Sequence, residues 1–218
     1  PGIVFAHPQT ADSVEHRITV TIDRRNIDVH VELTFHDVRS LLERRRMDAD
    51  RDGIITRAEV SDYLTGMLDD LEDAVGLTYA GRPLSVALLN DPQLDLEGNA
   101  GAVGMRHVLR LAYFARTPAP FTDGRLEIEN HLWPTLPAVC SVESANTGAI
   151  RVSAPGGQQV WLPRQDPAQR TLMLFVRSTT RPARAGSARH QEIRHAATRP
   201  SLAPVQRPVD ASGRIERR

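Results

Sequence analysis

Within a chain of 218 residues, Asp48, Asp50, Asp52 and Glu59 place four carboxylates in one stretch of twelve, Asp-Ala-Asp-Arg-Asp-Gly-Ile-Ile-Thr-Arg-Ala-Glu. Alternate carboxylates on a tightly turned backbone are hard oxygen donors, and calcium takes roughly six to eight of them, in one-oxygen or two-oxygen contacts. Asp48, Asp50 and Asp52 stand at positions one, three and five; Gly53 at six can take a strained turn, and Ile54 at seven offers its backbone carbonyl. Thr56 at nine would hold a water or give its hydroxyl oxygen, and Glu59 at twelve would close the shell with both carboxylate oxygens. The competing reading is an acidic helix–turn–helix that never holds metal. Against it stands mutual repulsion, because four carboxylates within a few ångströms are most easily kept together when a cation neutralises them. Magnesium suits the set poorly, since its small octahedral shell does not accommodate a bidentate Glu59.

This order of ligands is that of an EF-hand calcium loop. Thr56 and Glu59 also spell a capping box, Thr-x-x-Glu, so a helix start coincides with the last ligands. Val60, Tyr63, Leu64, Met67, Leu68 and Leu71 recur at spacings of three and four and predict an exiting amphipathic helix from about Arg57 to Val75. On the entering side, Thr34-Phe35-His36-Asp37 reads as a helix start, with Val38, Leu41 and Leu42 as a short apolar stripe before Arg44, Arg45 and Arg46. The entering helix is therefore expected to pack on something other than a second EF-hand. No second loop of this kind occurs. Asn90 to Gly98 has acids at the wrong spacing and a proline, and reads as a polar surface loop. A solitary loop points to a structural or weakly sensing role, with an affinity on the order of 10⁻⁴ to 10⁻³ M in an extracytoplasmic compartment.

The elements that must carry this loop alternate with period two. Ile18, Val20 and Ile22, then Ile27, Val29, Val31, Leu33 and Phe35 after the turn at Arg24-Arg25-Asn26, predict a hairpin feeding into the helical segment. Leu77 and Tyr79, a turn at Ala80-Gly81-Arg82-Pro83, and Leu84, Val86 and Leu88 predict a second hairpin. Further strands are expected at Met105 to Arg116, Arg125 to Glu129, Ile150 to Val152, Val160 to Leu162 and Thr171 to Val176. Short strands punctuated by Gly and Pro imply an α+β, mostly β chain: an immunoglobulin-like β-sandwich over 7–177, with the EF-hand helix–loop–helix at 36–75 inserted after the first hairpin.

All 27 basic residues are arginine, matched by 27 acids. The balance is uneven, with 18 Arg against 24 Asp and Glu in 1–177 and 9 against 3 in 178–218. The Arg- and Pro-rich stretch 178–218 lacks aromatic residues and is expected to be a disordered tail. Its charge is diluted by prolines without interleaved aromatics, which argues for a solvated terminus and against a nucleic-acid partner. Pro1-Gly2-Ile3-Val4-Phe5-Ala6 looks like the end of a signal segment, implying a periplasmic or secreted domain that begins at His7-Pro8. The single cysteine, Cys140, excludes an internal disulfide framework, and no apolar run is long enough to span a membrane.

A His-Pro start, a hairpin, a helix leading into Asp-x-Asp-x-Asp-Gly, a second helix and then Gly76-Leu77-Thr78-Tyr79-Ala80-Gly81-Arg82-Pro83-Leu84 together resemble a known arrangement. They are similar to the extracytoplasmic N-terminal domain of bacterial nickel/cobalt-transporter-like, HupE/UreJ-like membrane proteins, over roughly residues 7 to 116. The resemblance implies an exported accessory domain with a protein partner at the membrane; transport itself is not carried over. This chain differs in having no membrane-spanning run after the β region.

Other residues offer less. His7 at a free terminus could bind copper, but no partner histidine stands at a telling spacing. His107 is in phase with Met105, Leu109, Leu111 and Tyr113 and reads as a hydrogen-bonded core histidine, whereas His30 lies on a polar strand face and His36 and Asp37 read as caps. Gly98, Gly101 and Gly104 precede a strand, which argues against a phosphate cradle. No Gly-x-Ser-x-Gly, His-Glu-x-x-His or Walker loop occurs, so no catalytic residue can be named. Two classes follow: a non-enzymatic calcium-binding module, which the sequence favours, and a hydrolase or carbohydrate-active β-sandwich merely stapled by calcium.

Overall fold

The computed structural model describes residues 13–98, 105–145, 150–154, 158–163 and 165–179. The expected signal remnant at 1–6, His7, Gly101, Gly104 and the tail from 180 onward lie outside the described residues. What is described is mostly strand, with helices confined to the segment between the second and third strands apart from one 3-10 turn.

Alternation in the first two strands has the expected outcome. β1 (Val14–Asp23) and β2 (Asn26–His36) form an antiparallel hairpin, turned at Arg24 with φ 47°, that pairs Asp23 with Asn26 and Ile18 with Val31. Val14, Ile18, Val20, Ile22, Ile27, Val29 and Leu33 are all wholly buried, each contributing about 1.5–3 kcal/mol. β7 (Arg106–Arg116) pairs along the whole of β2, while the other side of β1 pairs in parallel with β9 (Ala138–Ala145), which also carries β11 (Gln159–Trp161). Two short strands, β5 (Val86–Leu88) and β6 (Gln93–Glu97), close the far side of β7. A second sheet runs in the order β10 (Ile150–Ser153), β12 (Thr171–Ser178), β8 (Gly124–Asn130), β3 (Val75–Tyr79) and β4 (Arg82–Leu84). Buried side chains from both sheets, among them Leu33, Leu126, Ile128 and Leu174, belong to one apolar cluster.

Several expectations need correction. The expected polar loop at 90–98 is largely strand β6, whose acids meet arginines: Asp95 pairs with Arg110, and Glu97 with Arg106 at 2.6 Å. The predicted strand through Leu84, Val86 and Leu88 is two strands, because the chain leaves one sheet after Leu84 and joins the other at Val86. The turn before it needs only Ala80 and Gly81, both at positive φ, so Pro83 sits within β4 at the sheet edge, where its missing N–H leaves no ladder bond unmade.

The helices differ too. α1 (Asp37–Met47) begins one residue after β2, so Thr34 and Phe35 are strand, not helix start, and His36 makes no side-chain cap. Two residues of its expected apolar stripe face outward, Val38 47% and Leu42 40% exposed, while Leu41 is half-buried. The buried face is instead Ser40, Glu43, Arg44 and Met47. The single exiting helix is two, α2 (Arg57–Thr65) and α3 (Leu68–Glu72), separated at Gly66. Glycine is a poor helix former, and the Thr65 hydroxyl, donating to the Ser61 carbonyl at 2.8 Å, competes with continued helix geometry.

Two histidines are buried within this frame. His107 stacks on Phe35 at 4.2 Å and meets Ser40 Oγ at 3.0 Å; His16 stands in the apolar row of β1. Burial first, then neighbouring arginines, lowers both imidazoles from 6.5 to about 3. The folded chain therefore binds fewer protons than the unfolded chain between these values, and stability rises with pH across that window. Urea denaturation should show unfolding free energy falling as pH drops below 6.5, by about 1.4 kcal/mol per pH unit for each histidine. His107→Gln should remove one histidine's share of that slope; an unchanged slope would mean that His107 is protonated in the fold.

Candidate metal centre

Between α1 and α2 the chain makes a loop in which each aspartate organises the backbone after it. Asp48 Oδ2 accepts from the Gly53 N–H at 3.1 Å, Asp50 Oδ1 from the Asp52 N–H at 3.1 Å, and Asp52 Oδ1 from the Ile54 N–H at 2.6 Å. These short bonds curl the loop inward. Arg51 at φ 64° and Gly53 at φ 84° take the left-handed backbone that the curl demands, and glycine does so without strain. As a result, one oxygen from each of Asp48, Asp50 and Asp52 lies within 4.8 Å of the others. Among the described residues, no arginine forms an ion pair with any of the three.

Glu59 completes the loop from α2. Its Oε1 accepts from the Ala49 N–H at 2.8 Å; its Oε2 accepts from the Thr56 N–H at 2.8 Å and the Thr56 hydroxyl at 2.9 Å. Thr56 Oγ1 in turn accepts from the Glu59 N–H at 3.3 Å, so the expected capping box is formed. The Thr56 bonds, then that from Ala49, hold the Glu59 carboxyl below the ordinary 4.5. The structure thus groups the three aspartates and leaves Glu59 tied to the loop backbone, with both oxygens engaged. Ile54 lies on the rim with its side chain 66% exposed, as a residue contributing only its carbonyl can.

Do these residues suit a calcium ion? Asp48 Oδ1 is buried and has no hydrogen-bond partner among the described residues, while its sister oxygen is already used by Gly53. A buried carboxylate oxygen without a donor is costly, and a hard cation beside it would remove that cost. The donor set is oxygen throughout, with neither sulfur nor imidazole, which suits a hard cation such as calcium.

The loop is anchored through α1. Arg44 donates to the carbonyls of Glu97, of Gly98 at 3.0 Å and of Arg106 at 2.9 Å, locking the end of α1 to β6 and β7. A cavity of about 430 Å³ lies between this clamp and the loop, lined by Leu41, Arg44, Asp48, Gly53 and Leu96.

A larger cavity, about 600 Å³, lies on the other side of the helices, walled by Tyr63, Met67, Leu71, Leu132 and Trp133. Glu43 and Asp70 both reach it, yet Glu43 is no available acid. Its oxygens are taken by Arg39, Arg46 and the Tyr63 hydroxyl at 2.8 Å, and burial, then the Glu43 charge, holds that phenol well above its usual 10. Sequence reading missed this cavity because Glu43 lay in an arginine-rich run and Trp133 in a Pro-flanked stretch without periodicity. Of the weaker candidates, His30 is exposed, while Cys140 is a buried thiol that burial pushes up to about 12, the pull of Arg170 notwithstanding. No protein-family model matches this chain, and no curated protein matches it.

Without divalent cations, Thr56→Ala should cost about 1 kcal/mol in chemical denaturation, through loss of the cap on α2. A value near zero would show that the capping box does not hold the helix start.

Proposed function

We propose that the 48–59 loop is an EF-hand binding one Ca²⁺, held by Asp48, Asp50, Asp52, the Ile54 carbonyl, Thr56 and Glu59, in a non-enzymatic exported domain with a structural or protein-interaction role. The observation that carries this reading is the convergence of three aspartate oxygens within 4.8 Å, one of them, Asp48 Oδ1, buried and unpartnered. The ion would supply the divalent charge that makes this convergence favourable. Glu59 would tie the start of α2 to the loop, and Thr56 would hold the helix end in place. Two sheets sharing one core support the finer reading as a β-sandwich of the immunoglobulin-like kind. The apolar start of the sequence and the HupE/UreJ-like resemblance support a periplasmic or secreted location and a protein partner at a membrane transport system. No helix among the described residues is long and apolar enough to cross a membrane.

The cavity of about 600 Å³ favours a second reading, a calcium-stapled hydrolase or carbohydrate-active enzyme. The engagement of both Glu43 oxygens by arginines and tyrosine weighs against it.

Calcium should raise the melting temperature relative to chelator, by an amount equivalent to about 2.7 kcal/mol when the free ion is a hundredfold above Kd. Equal melting temperatures would sink the proposal. In titration calorimetry Glu59→Gln should weaken calcium binding far more than Thr56→Ala, because it removes a charge and a two-oxygen ligand together. Equal losses would contradict the assigned ligand roles.

A further inference from the structure

The core holds a cluster whose polarity is opposite to that of the acidic loop. Arg170, at the end of the 3-10 turn Pro167–Arg170, is 1% exposed, and none of its three guanidinium nitrogens meets an acceptor among the described residues. It lies over the Trp161 ring, 5.1 Å from the centroid, and on the same ring His16 packs edge-to-face at 5.6 Å. The His16 tautomer follows from its neighbours. Asn130 Oδ1 accepts from the Leu132 N–H at 2.9 Å, which orients the amide so that its Nδ2 donates to His16 Nδ1 at 3.2 Å. With Nδ1 accepting and the ring neutral, the proton sits on Nε2, and Nε2, wholly buried, also lacks an acceptor among the described residues. The cluster therefore presents N–H donors from two side chains and one uncompensated positive charge. Trp161 covers a face of the guanidinium but leaves its in-plane donors unmatched, and a ring face is only a weak acceptor. Cys140, paired with His16 across β1 and β9, does not supply the missing charge, because its thiol stays protonated at neutral pH.

We propose that Arg170 and His16 form a buried binding site for one small monovalent anion, a halide or a formate-sized carboxylate. One guanidinium balances one negative charge, so a dianion would leave an excess in the core. The cluster is shut off from bulk solvent, since His16 and Cys140 are wholly buried and Trp161 and Arg170 are 1% exposed, which favours a small ion that sheds its hydration at low cost. Planar N–H donors suit either a spherical ion or a two-oxygen carboxylate. The site is independent of the calcium proposal and shares no residue with it.

The test is calorimetric melting of the full chain in sodium chloride, bromide, formate and sulfate, against sodium gluconate at equal ionic strength, for wild type and Arg170→Met. In wild type the melting temperature should climb with the logarithm of chloride, bromide or formate concentration, the order among them identifying the preferred anion, while sulfate gives only the general salt effect that the variant shares. Arg170→Met, which replaces an unpaired buried charge with an apolar chain of similar length, should lose the anion-specific rise and melt at least as high as wild type in gluconate. Identical salt dependence in the two proteins would overturn the proposal. If the variant does not fold, crystals of the wild-type chain soaked in bromide decide: an anomalous peak against the guanidinium supports the site, and none refutes it.

Discussion

Arg44 does most to join the helical segment to the sheet, because Nη1 and Nη2 of its guanidinium donate to three backbone carbonyls from β6, the residue after it, and β7. Bonds from a charged donor are worth about 1.5–3 kcal/mol each, and burying the side chain without them would be severely unfavourable. The clamp explains why α1 docks by its polar face. Ser40 meets His107, Glu43 gathers Arg39, Arg46 and Tyr63, and Arg44 reaches the sheet, while Val38 and Leu42 stay outside. Such contacts are directional where apolar packing is not. They fix the rotation of α1 about its axis, and with it the direction in which Asp48 enters the loop.

Much of the β framework was legible because alternation was strong and both faces had opposite tasks. β1, β2, β7, β8 and β12 each bury every second residue. The missed strand β9, Ala-Val-Cys-Ser-Val-Glu-Ser-Ala, buries only the small Ala138 and Cys140 fully, so its alternation is weak in the sequence; it lies parallel against β1 with His16 opposite Cys140. β6 was missed because its acids looked like loop residues, whereas on a strand flanking β7 they answer the arginines of that neighbour. Cross-strand ion pairs of this kind depend on register, which one strand's own sequence does not contain. The entering helix misled for a related reason: hydrophobicity picks the buried face only where burial is apolar. At His16 a signal was present, an imidazole in phase with Val14 and Ile18, but nothing in the sequence pointed to Arg170 as its neighbour.

The loop and the His16–Arg170 cluster present opposite electrostatic problems. In the loop, carboxylate oxygens converge with backbone donors satisfying one side of each and no arginine on the other. In the core, the Arg170 guanidinium and His16 Nε2, on two side chains packed against Trp161, have no acceptor among the described residues. Solvent treats the two differently. The loop is largely exposed, so water screens its repulsion and much of its organisation persists through its own backbone bonds. The buried cluster has no such screening, and an unmatched charge there weighs on the stability of the whole domain.

These differences bear on what an ion at 48–59 could control. α1 is fixed by the polar seam and β2 runs directly into it, so its position does not wait on metal. α2 is another matter: it buries no residue, its start is held by the Thr56–Glu59 box, and it ends at Gly66 only nine residues on. A helix this short has little intrinsic stability, so its order derives from its two ends and from the half-buried Tyr63 and Leu64. Because Glu59 is already bonded to the loop backbone, an ion that gripped it would add to that tie and act chiefly on α2 and, through Tyr63, on one wall of the cavity of about 600 Å³. The physical reach of an ion bound there would then be one short helix and the surface it presents, which accords with the proposed structural or interaction role better than with a switch that rearranges the sheets.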